Sequence, residues 1–412
     1  MNPQHRQVPH SIATTRIAYF SMEIALEAEI PTYSGGLGVL AGDMLRSAAD
    51  MESPMLGITL VHHNGYFRQK LSPQGSQSEE PEPWHVSEHL ELMEPCVSVL
   101  IEGRAVWLQA WRYWIHGVSG YAVPVYLLDS SLPENSEADR VLTNDLYGGD
   151  SRYRLCQEVI LGMGGAKMLE KLGYAGITSY HMNEGHAALL ALGLLERDLG
   201  EGNLHLATEN DIEKVRRRCV FTTHTPVPAG QDQFSLDQTR QILGEERSSV
   251  LEVTHCCPEQ VLNMTFLALR FSHYINGVAM HHGEVSRGMF PQYPIRAITN
   301  GVHAVSWTAP PFQQIFDRHV PEWRYDNLYL RYMIGISLEE VRQAHLAAKS
   351  RLLEEVRSRS GVQLSQSVFT IGFARRAATY KRADLLFSDL ERLRRIARNV
   401  GPLQIVFAGK AH

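Results

Sequence analysis

The sequence of 412 residues holds only five cysteines, Cys96, Cys156, Cys219, Cys256 and Cys257, and nowhere spaces two of them as Cys-x-x-Cys. Such an odd, scattered set excludes a zinc ribbon and a disulfide framework, and makes a reduced, cytoplasmic setting the expectation. Long apolar runs are also lacking. The longest, 187–195, falls far short of the ~20 residues that a membrane-spanning helix needs. The opening stretch, MNPQHRQVPHSIATTR, has no apolar core, so no secretory signal is expected. Positive charge is in short supply too: Lys plus Arg number 39 against 45 Asp plus Glu, a net of −6. That balance argues against a protein that grips nucleic acid through its phosphates. With 44% hydrophobic and 20% charged residues, the composition excludes disorder as the main theme. The length suggests about two or three domains.

Apolar, β-rich runs occur at 17–21, 55–61, 97–100, 105–111, 123–128, 177–181, 220–223, 297–299, 369–373 and 404–407. Helical patterns at 38–49, 151–172, 185–199, 258–272, 338–358 and 381–399 alternate with them, which predicts an α/β fold. Glu102-Gly103-Arg104 between two of the runs has hairpin character. The stretch 71–83, LSPQGSQSEEPEP, reads as an exposed acidic loop. No internal repeat or coiled-coil heptad is present. A domain boundary is expected near 310–335, and a second α/β unit beyond it. Two parallel strands with two helices are too few for a buried sheet. The sequence stops at Gly409-Lys410-Ala411-His412, directly after a strand. The physical expectation is a chain that ends inside its second domain.

Five motifs carry chemistry. Tyr33-Ser34-Gly35-Gly36-Leu37-Gly38 opens a helix, and glycine-rich backbone there suits an anion cradle or a tight structural turn. Its distance from the preceding strand disfavours a dinucleotide site. His181-Met182-Asn183-Glu184-Gly185-His186 looks superficially like a metalloprotease motif, but histidines five apart diverge by about 140° on a helix. A strand end whose polar side chains face a cleft fits better. His224 sits in Thr223-His224-Thr225-Pro226-Val227-Pro228-Ala229-Gly230, where two prolines and a glycine fix the backbone after a strand. Asn300-Gly301 signals a turn, and its amide could also bind a sugar hydroxyl, with Trp307 as an aromatic wall. Arg375-Arg376-Ala377-Ala378-Thr379-Tyr380-Lys381-Arg382 puts four cations between a strand and a helix, either a solvated face or a phosphate site.

Together these segments resemble the α-glucan (glycogen, starch, maltodextrin) phosphorylases, in particular their shorter bacterial and archaeal branch. The likeness runs from about Ile17 to His412 in conserved order, through YFSMEIALEAEIPTYSGGLGVLAGDML, NGYFRQ, LYGGDSRYRLCQEVILGMGG, HMNEGHAALLAL, FTTHTPVPAGQDQF, HGEVSRGMF, ITNGVHAVSW and TIGFARRAATYKRADLLFSDLERL. It implies a GT-B fold of two facing Rossmann-like domains with the active site in their cleft. Residues 1–325 would form the glucan and phosphate domain, and 336–412 the incomplete start of the cofactor domain. It also implies pyridoxal 5′-phosphate, working through its phosphate as a proton relay, and phosphorolysis of an α-1,4-glucan to glucose 1-phosphate with retention. The partners would be glucan and inorganic phosphate, with no nucleic acid and no membrane, and a homo-oligomer is left open.

By motif position, the resemblance assigns Gly35, Gly36 and Leu37 to the glycine loop near the phosphate, and Glu23 to the cleft lining. Glu184 and His186 fall beside the sugar, and Asn300 on a glucosyl hydroxyl. The His224 carbonyl would face the reacting anomeric carbon, where a dipole can stabilise positive charge. Trp307 would pack near the cofactor, and Arg375, Arg376 and Lys381 would hold the two phosphates. The family's Schiff-base lysine lies in a glycine-rich block beyond Gly-Lys-Ala that this sequence does not contain, so residues 1–412 alone are expected to be inactive. Two other readings compete. A nucleotide-sugar glucosyltransferase of the same architecture shares the cationic loop but not the His-Thr-Pro block beside the SGGLG loop. An inactive or split-gene fragment would bind glucan or a complementary chain without turnover.

Overall fold

The computed structural model describes residues 11–72, 74–225 and 231–411. The Pro-Val-Pro-Ala-Gly backbone expected to stiffen the chain after His224 lies outside them. The described residues pack as two compact units. One runs to Arg68 and resumes over Pro81–Val302; the other takes Gln69–Glu80 and everything from His303 onward.

The strands, in chain order, are β1 (Ile17–Ser21), β2 (Met55–Leu60), β3 (Arg68–Leu71), β4 (Gln77–Glu80), β5 (Glu91–Leu92), β6 (Val97–Ile101), β7 (Arg104–His116) and β8 (Ala122–Asp129). They continue with β9 (Ser179–Asn183), β10 (Cys219–Thr223), β11 (Gln233–Ser235), β12 (Val261–Asn263), β13 (Tyr274–Gly277), β14 (Ile295–Ala297), β15 (Phe369–Ala374) and β16 (Leu403–Ala408). The sheet of the first unit has the order β14-β13-β10-β9-β1-β2-β8-β7-β5, with β6 on β7. It is parallel from β14 to β8 and antiparallel only at the β7 edge. The α/β expectation is met by a mixed sheet rich in parallel pairs.

Parallel strands must be covered on both faces, and alternation along each strand divides the core accordingly. Phe20, Ile58 and Leu128 point into one cluster with Leu155, Ile160 and Leu190. Tyr19, Val125 and Leu127 point into the other, with Leu45 from the helix Gly36–Asp50. Gly57 on β2 makes room for that helix, since a Cβ there would lie 3.0 Å from the Leu45 side chain. On the opposite face the helix Ser151–Val159, capped by the Asp150 side chain on the Tyr153 N–H, widens into a π-turn over Ile160–Gly164 and continues as Gly165–Lys171. A Cβ at Gly162 would lie 2.3 Å from the Leu190 nitrogen, so only glycine lets the π-turn touch the helix Leu189–Leu199.

The hairpin at Glu102-Gly103 forms as read: both residues have positive φ, at 52° and 75°, and Ile101 pairs with Arg104. Such paired left-handed residues match the strand twist. Other boundaries differ. The acidic stretch 71–83 is not wholly loop, because β3 and β4 pair across it. The helix read at 258–272 is split into β12 and the helix Met264–Arg270, because the Asn263 side chain accepts from the Thr265 and Phe266 N–H groups and so starts the helix there. The strand read at 297–299 lies at Ile295–Ala297.

In the second unit β15 and β16 pair in parallel, and the crossover between them carries the helix Leu390–Asn399. That helix starts nine residues later than the pattern at 381–399 suggested, where the Asp389 side chain accepts from the Arg392 N–H. The helix Leu338–Ser360 is bounded by Ser337, which accepts from the Glu340 N–H, and by the left-handed Gly361. It packs against Pro310–His319 through Ile315 and Ala344. Among the described residues no helix is long and apolar enough to cross a membrane.

Candidate active site

The carboxyl ends of β1, β9 and β10 lie side by side, because these strands are parallel neighbours. Residues that leave adjacent strand ends together build one site. Glu23, just past β1, is buried, and its Oε2 accepts the N–H groups of Ser34 at 2.5 Å and Gly35 at 3.1 Å. Its Oε1 accepts the Tyr147 hydroxyl at 3.0 Å. Burial pushes the Glu23 carboxyl up, against the pull of those hydrogen bonds. At Ser34 and Gly35 the donors of the glycine loop therefore face an internal carboxylate, which decides in favour of structural bracing at those two residues. Gly38 serves the same packing, since a Cβ there would lie 2.8 Å from Glu23 Oε2. Gly36 has open space on its Cα, the condition for close approach by another group.

β9 delivers Asn183 and Glu184. Glu184 has φ 69° and ψ 168°, a backbone region otherwise reserved for glycine and worth about 1–3 kcal/mol of strain. Three hydrogen bonds hold its buried carboxylate: from the His224 N–H at 2.7 Å, the Thr225 hydroxyl at 2.9 Å and the Gly185 N–H at 3.1 Å. Burial raises its pKa. His224 Nε2 lies 2.7 Å from Asn183 Oδ1; the Asn183 amide donates to Ser21 Oγ, which donates to the Glu23 carbonyl. Since that Asn183 oxygen can only accept, His224 carries its proton on Nε2. The result is a relay across three strands from β10 to β1.

His186, in the short turn Gly185–Ala187, places Nε2 2.9 Å from Asp232, which also pairs with Arg154. Its ring lies 5.4 Å from that of Tyr147. Burial, with the nearby Arg154 charge, pushes His186 down to about 3; burial pushes His224 and His181 down to about 4. His181 is bound through Nε2 to Thr222 at 2.8 Å, inside the sheet and apart from His186. The site at neutral pH therefore offers uncharged imidazoles beside two carboxyl groups whose ionisation burial disfavours, a surface matched to hydroxyl groups.

The low imidazole values have a measurable consequence. The folded His181 pKa lies below its ordinary 6.5, so below that pH the unfolded chain takes up the proton more readily. Its stabilising contribution is complete above pH 6.5 and is lost as the pH falls through about 4. The stability margin of wild type over His181→Gln, from urea unfolding, should be constant above pH 7 and shrink by about 1.4 kcal/mol per pH unit at its steepest. A margin that is flat down to pH 4.5 would refute the assignment.

The structure thus joins Glu23, Glu184, His186 and His224 in one buried network, with Gly35, Gly36 and Leu37 alongside. Tyr147, Asn183, Arg154 and Asp232 complete it and were not singled out from the sequence. Tyr147 did leave a signal, because Leu146-Tyr147-Gly148-Gly149-Asp150 places left-handed residues at 147 and 149. Asn300 stands on the exposed stretch after β14, where its N–H donates to the Val278 carbonyl. Neither Asn300 nor Gly301 has a positive φ, so the expected tight turn gives way to continued pairing beside β13.

The other candidates belong to the second unit. Trp307 ends the helical turn Ala304–Trp307 and is 60% exposed. Arg375 and Arg376 follow β15, and Lys381 closes the short turn Thr379–Lys381. A Cβ on Gly409 would lie 1.9 Å from the Arg375 carbonyl, so glycine is what lets the two strand ends converge. A cavity of about 690 Å³ beside this loop is lined by Arg375 and Lys381 on one side and by Phe373, Leu386, Leu393 and Phe407 on the other.

A family model for carbohydrate phosphorylase matches residues 20–106. The maltodextrin phosphorylase of Thermococcus litoralis is 35% identical over 434 residues, covering 96% of this chain and 51% of the relative. The glycogen phosphorylase of Mycobacterium tuberculosis is 34% identical, covering 97% and 51%, and that of Aquifex aeolicus 31% identical, covering 96% and 62%. The resemblance to the α-glucan phosphorylases thus extends along nearly the whole chain, and the chain spans about half the length of the first of these relatives.

Proposed function

We propose that this chain acts in the phosphorolysis of α-1,4-glucans, releasing glucose 1-phosphate from glycogen or maltodextrin with retention, in the cytoplasm. One observation carries the reading: Glu23, Glu184, His186 and His224, each assigned by motif to the sugar site, converge on a single buried network. In this reading the fold is of the GT-B type. The division of roles, 1–325 for glucan and phosphate and 336–412 for the start of the cofactor domain, follows the sequence and not the packing, since Pro310–His319 packs with the second unit.

Pyridoxal 5′-phosphate fits the residues present on chemical grounds. Arg375, Arg376 and Lys381 offer only cationic N–H donors, the set that phosphate oxygens require. Trp307 offers an exposed aromatic face. When bound, the cofactor supplies a phosphate group able to relay a proton. The chain's own residues do the rest. The cationic loop holds phosphate, Asn300 binds a glucosyl hydroxyl, and Glu184 and an uncharged His186 make hydrogen bonds to the sugar. The His224 carbonyl turns its dipole toward positive charge developing at the anomeric carbon.

The cationic loop would also suit a sugar nucleotide, so the assay compares donors. Joined to the carboxyl-terminal half of a relative that carries the lysine block, the chain should form glucose 1-phosphate from maltodextrin and inorganic phosphate with pyridoxal phosphate added. Glucosyl transfer from a sugar nucleotide, with none from phosphate, would overturn the proposal.

A further inference from the structure

β10 and β13 are parallel neighbours in which Thr223 pairs with Gly277. Five residues past Gly277, the helix Met280–Met289 folds His282 back onto it. A Cβ on Gly277 would lie 2.4 Å from His282 Nδ1, so the ring rests on the bare backbone of β13. His282 is 9% exposed. Its Nδ1 lies 3.3 Å from Ser286 Oγ, one helical turn on, while Nε2 is buried and has no hydrogen-bond partner at ordinary distance. The group it approaches is the main chain of His224, the residue directly after the Thr223 that pairs with Gly277. A buried imidazole nitrogen without a partner is costly and calls for an explanation.

We propose that His282 is a positioning residue for the His224 carbonyl. Ser286 Oγ–H donates to Nδ1, which fixes the tautomer with hydrogen on Nε2. That N–H is directed at one lone pair of the carbonyl, leaving the other for the sugar. Bonds that position a reacting group are often long until substrate closes on the site. Gly277 is part of the device, because any side chain there would displace the ring. This inference rests on the phosphorolysis reading, and it adds to that reading a residue that touches neither substrate nor cofactor.

Two variants test it. His282→Leu keeps bulk and removes the donor, whereas His282→Gln places an amide N–H where Nε2 stood. In phosphorolysis of maltodextrin by the chain joined to a relative's carboxyl-terminal half, the leucine variant should lose roughly 10- to 100-fold in kcat with KM within about threefold, and the glutamine variant should stay within about threefold of wild type. A leucine variant with wild-type kcat, or leucine and glutamine variants that fall together, would overturn the proposal. Selective 15N-histidine spectra of the wild-type protein, with His282 assigned by its loss in His282→Gln, should show the neutral Nε2–H tautomer. The Nδ1–H tautomer would also overturn it. The spectra need no turnover, so a joined wild-type protein inactive with phosphate would refute the functional reading and leave His282 to be decided by its tautomer.

Discussion

In the chain joined to a relative's carboxyl-terminal half, Arg376→Ala is expected to cut the use of phosphate by about 30- to 1,000-fold while weakening glucan binding far less. A charge-assisted bond to a phosphate oxygen in a site that excludes water is worth roughly 2–4 kcal/mol, and each 1.4 kcal/mol is a factor of about ten. Arg376 is half-buried in the loop after β15, so its planar fork is partly ordered before any anion arrives. Lysine at this position keeps the charge but not the paired donors, and should recover only part of the loss. The measurement is kcat/KM for phosphate at saturating maltodextrin, together with the affinity for maltodextrin without phosphate. Equal losses for phosphate and glucan would remove Arg376 from the phosphate site.

The second large effect concerns folding. Arg247 and Glu196 face each other with side chains 6% and 7% exposed, and one guanidinium nitrogen contacts both carboxylate oxygens, at 2.8 and 3.0 Å. A further bond from Arg247 to the Leu100 carbonyl ties the pair to the end of β6. Arg247→Ala strands a carboxylate in the interior, and breaking one side of such a pair costs about 3–5 kcal/mol. Replacing both residues by leucine removes the charge problem at its source and should cost clearly less than the two single losses added together. Urea unfolding of Arg247→Ala, Glu196→Ala and the double leucine variant decides the matter. An Arg247→Ala midpoint within error of wild type would show that water reaches the pair.

What the sequence revealed, and what it hid, follows from the range of the forces involved. The Glu102-Gly103 turn, the helix Leu338–Ser360 and the buried run Met55–Leu60 rest on local backbone preference, helical periodicity and a continuous apolar run, and each was legible. The start of Met264–Arg270 was hidden although its cause is local, since Asn263 sits within an apolar run whose spacing suits a longer helix. The partners of the site residues were hidden for another reason. Asp232 lies far along the chain from His186, and Asn183 reaches His224 only because β9 and β10 are neighbours in the sheet. The family resemblance assigned Glu23, Glu184, His186 and His224 to the site, but their linkage depends on strand order, which no window of sequence contains. The glycine loop shows the converse. Its composition suited an anion, and the anion at Ser34 and Gly35 turned out to be the chain's own Glu23.

The π-turn at Ile160–Gly164 bears on how this helix tolerates changes in length. A π-turn is one residue more than a regular helix would hold, so deleting any one of the five would restore regular hydrogen bonding and, taken locally, would be no defect. An ordinary helical residue turns the chain by about 100°, but a π-turn winds more slowly, so its extra residue leaves the two halves in nearly the rotation that a regular helix would give. Upstream lie Arg154, which holds Asp232 and through it His186, and the buried Leu155 and Val159; downstream lies Gly165, whose bare Cα meets Phe20. The turn takes up its extra residue without rotating the site-facing half of the helix against the core-facing half, so losing one residue here should disturb the site less than losing one from either flank, whereas a side chain at the buried Gly162 would push the helix Leu189–Leu199 away.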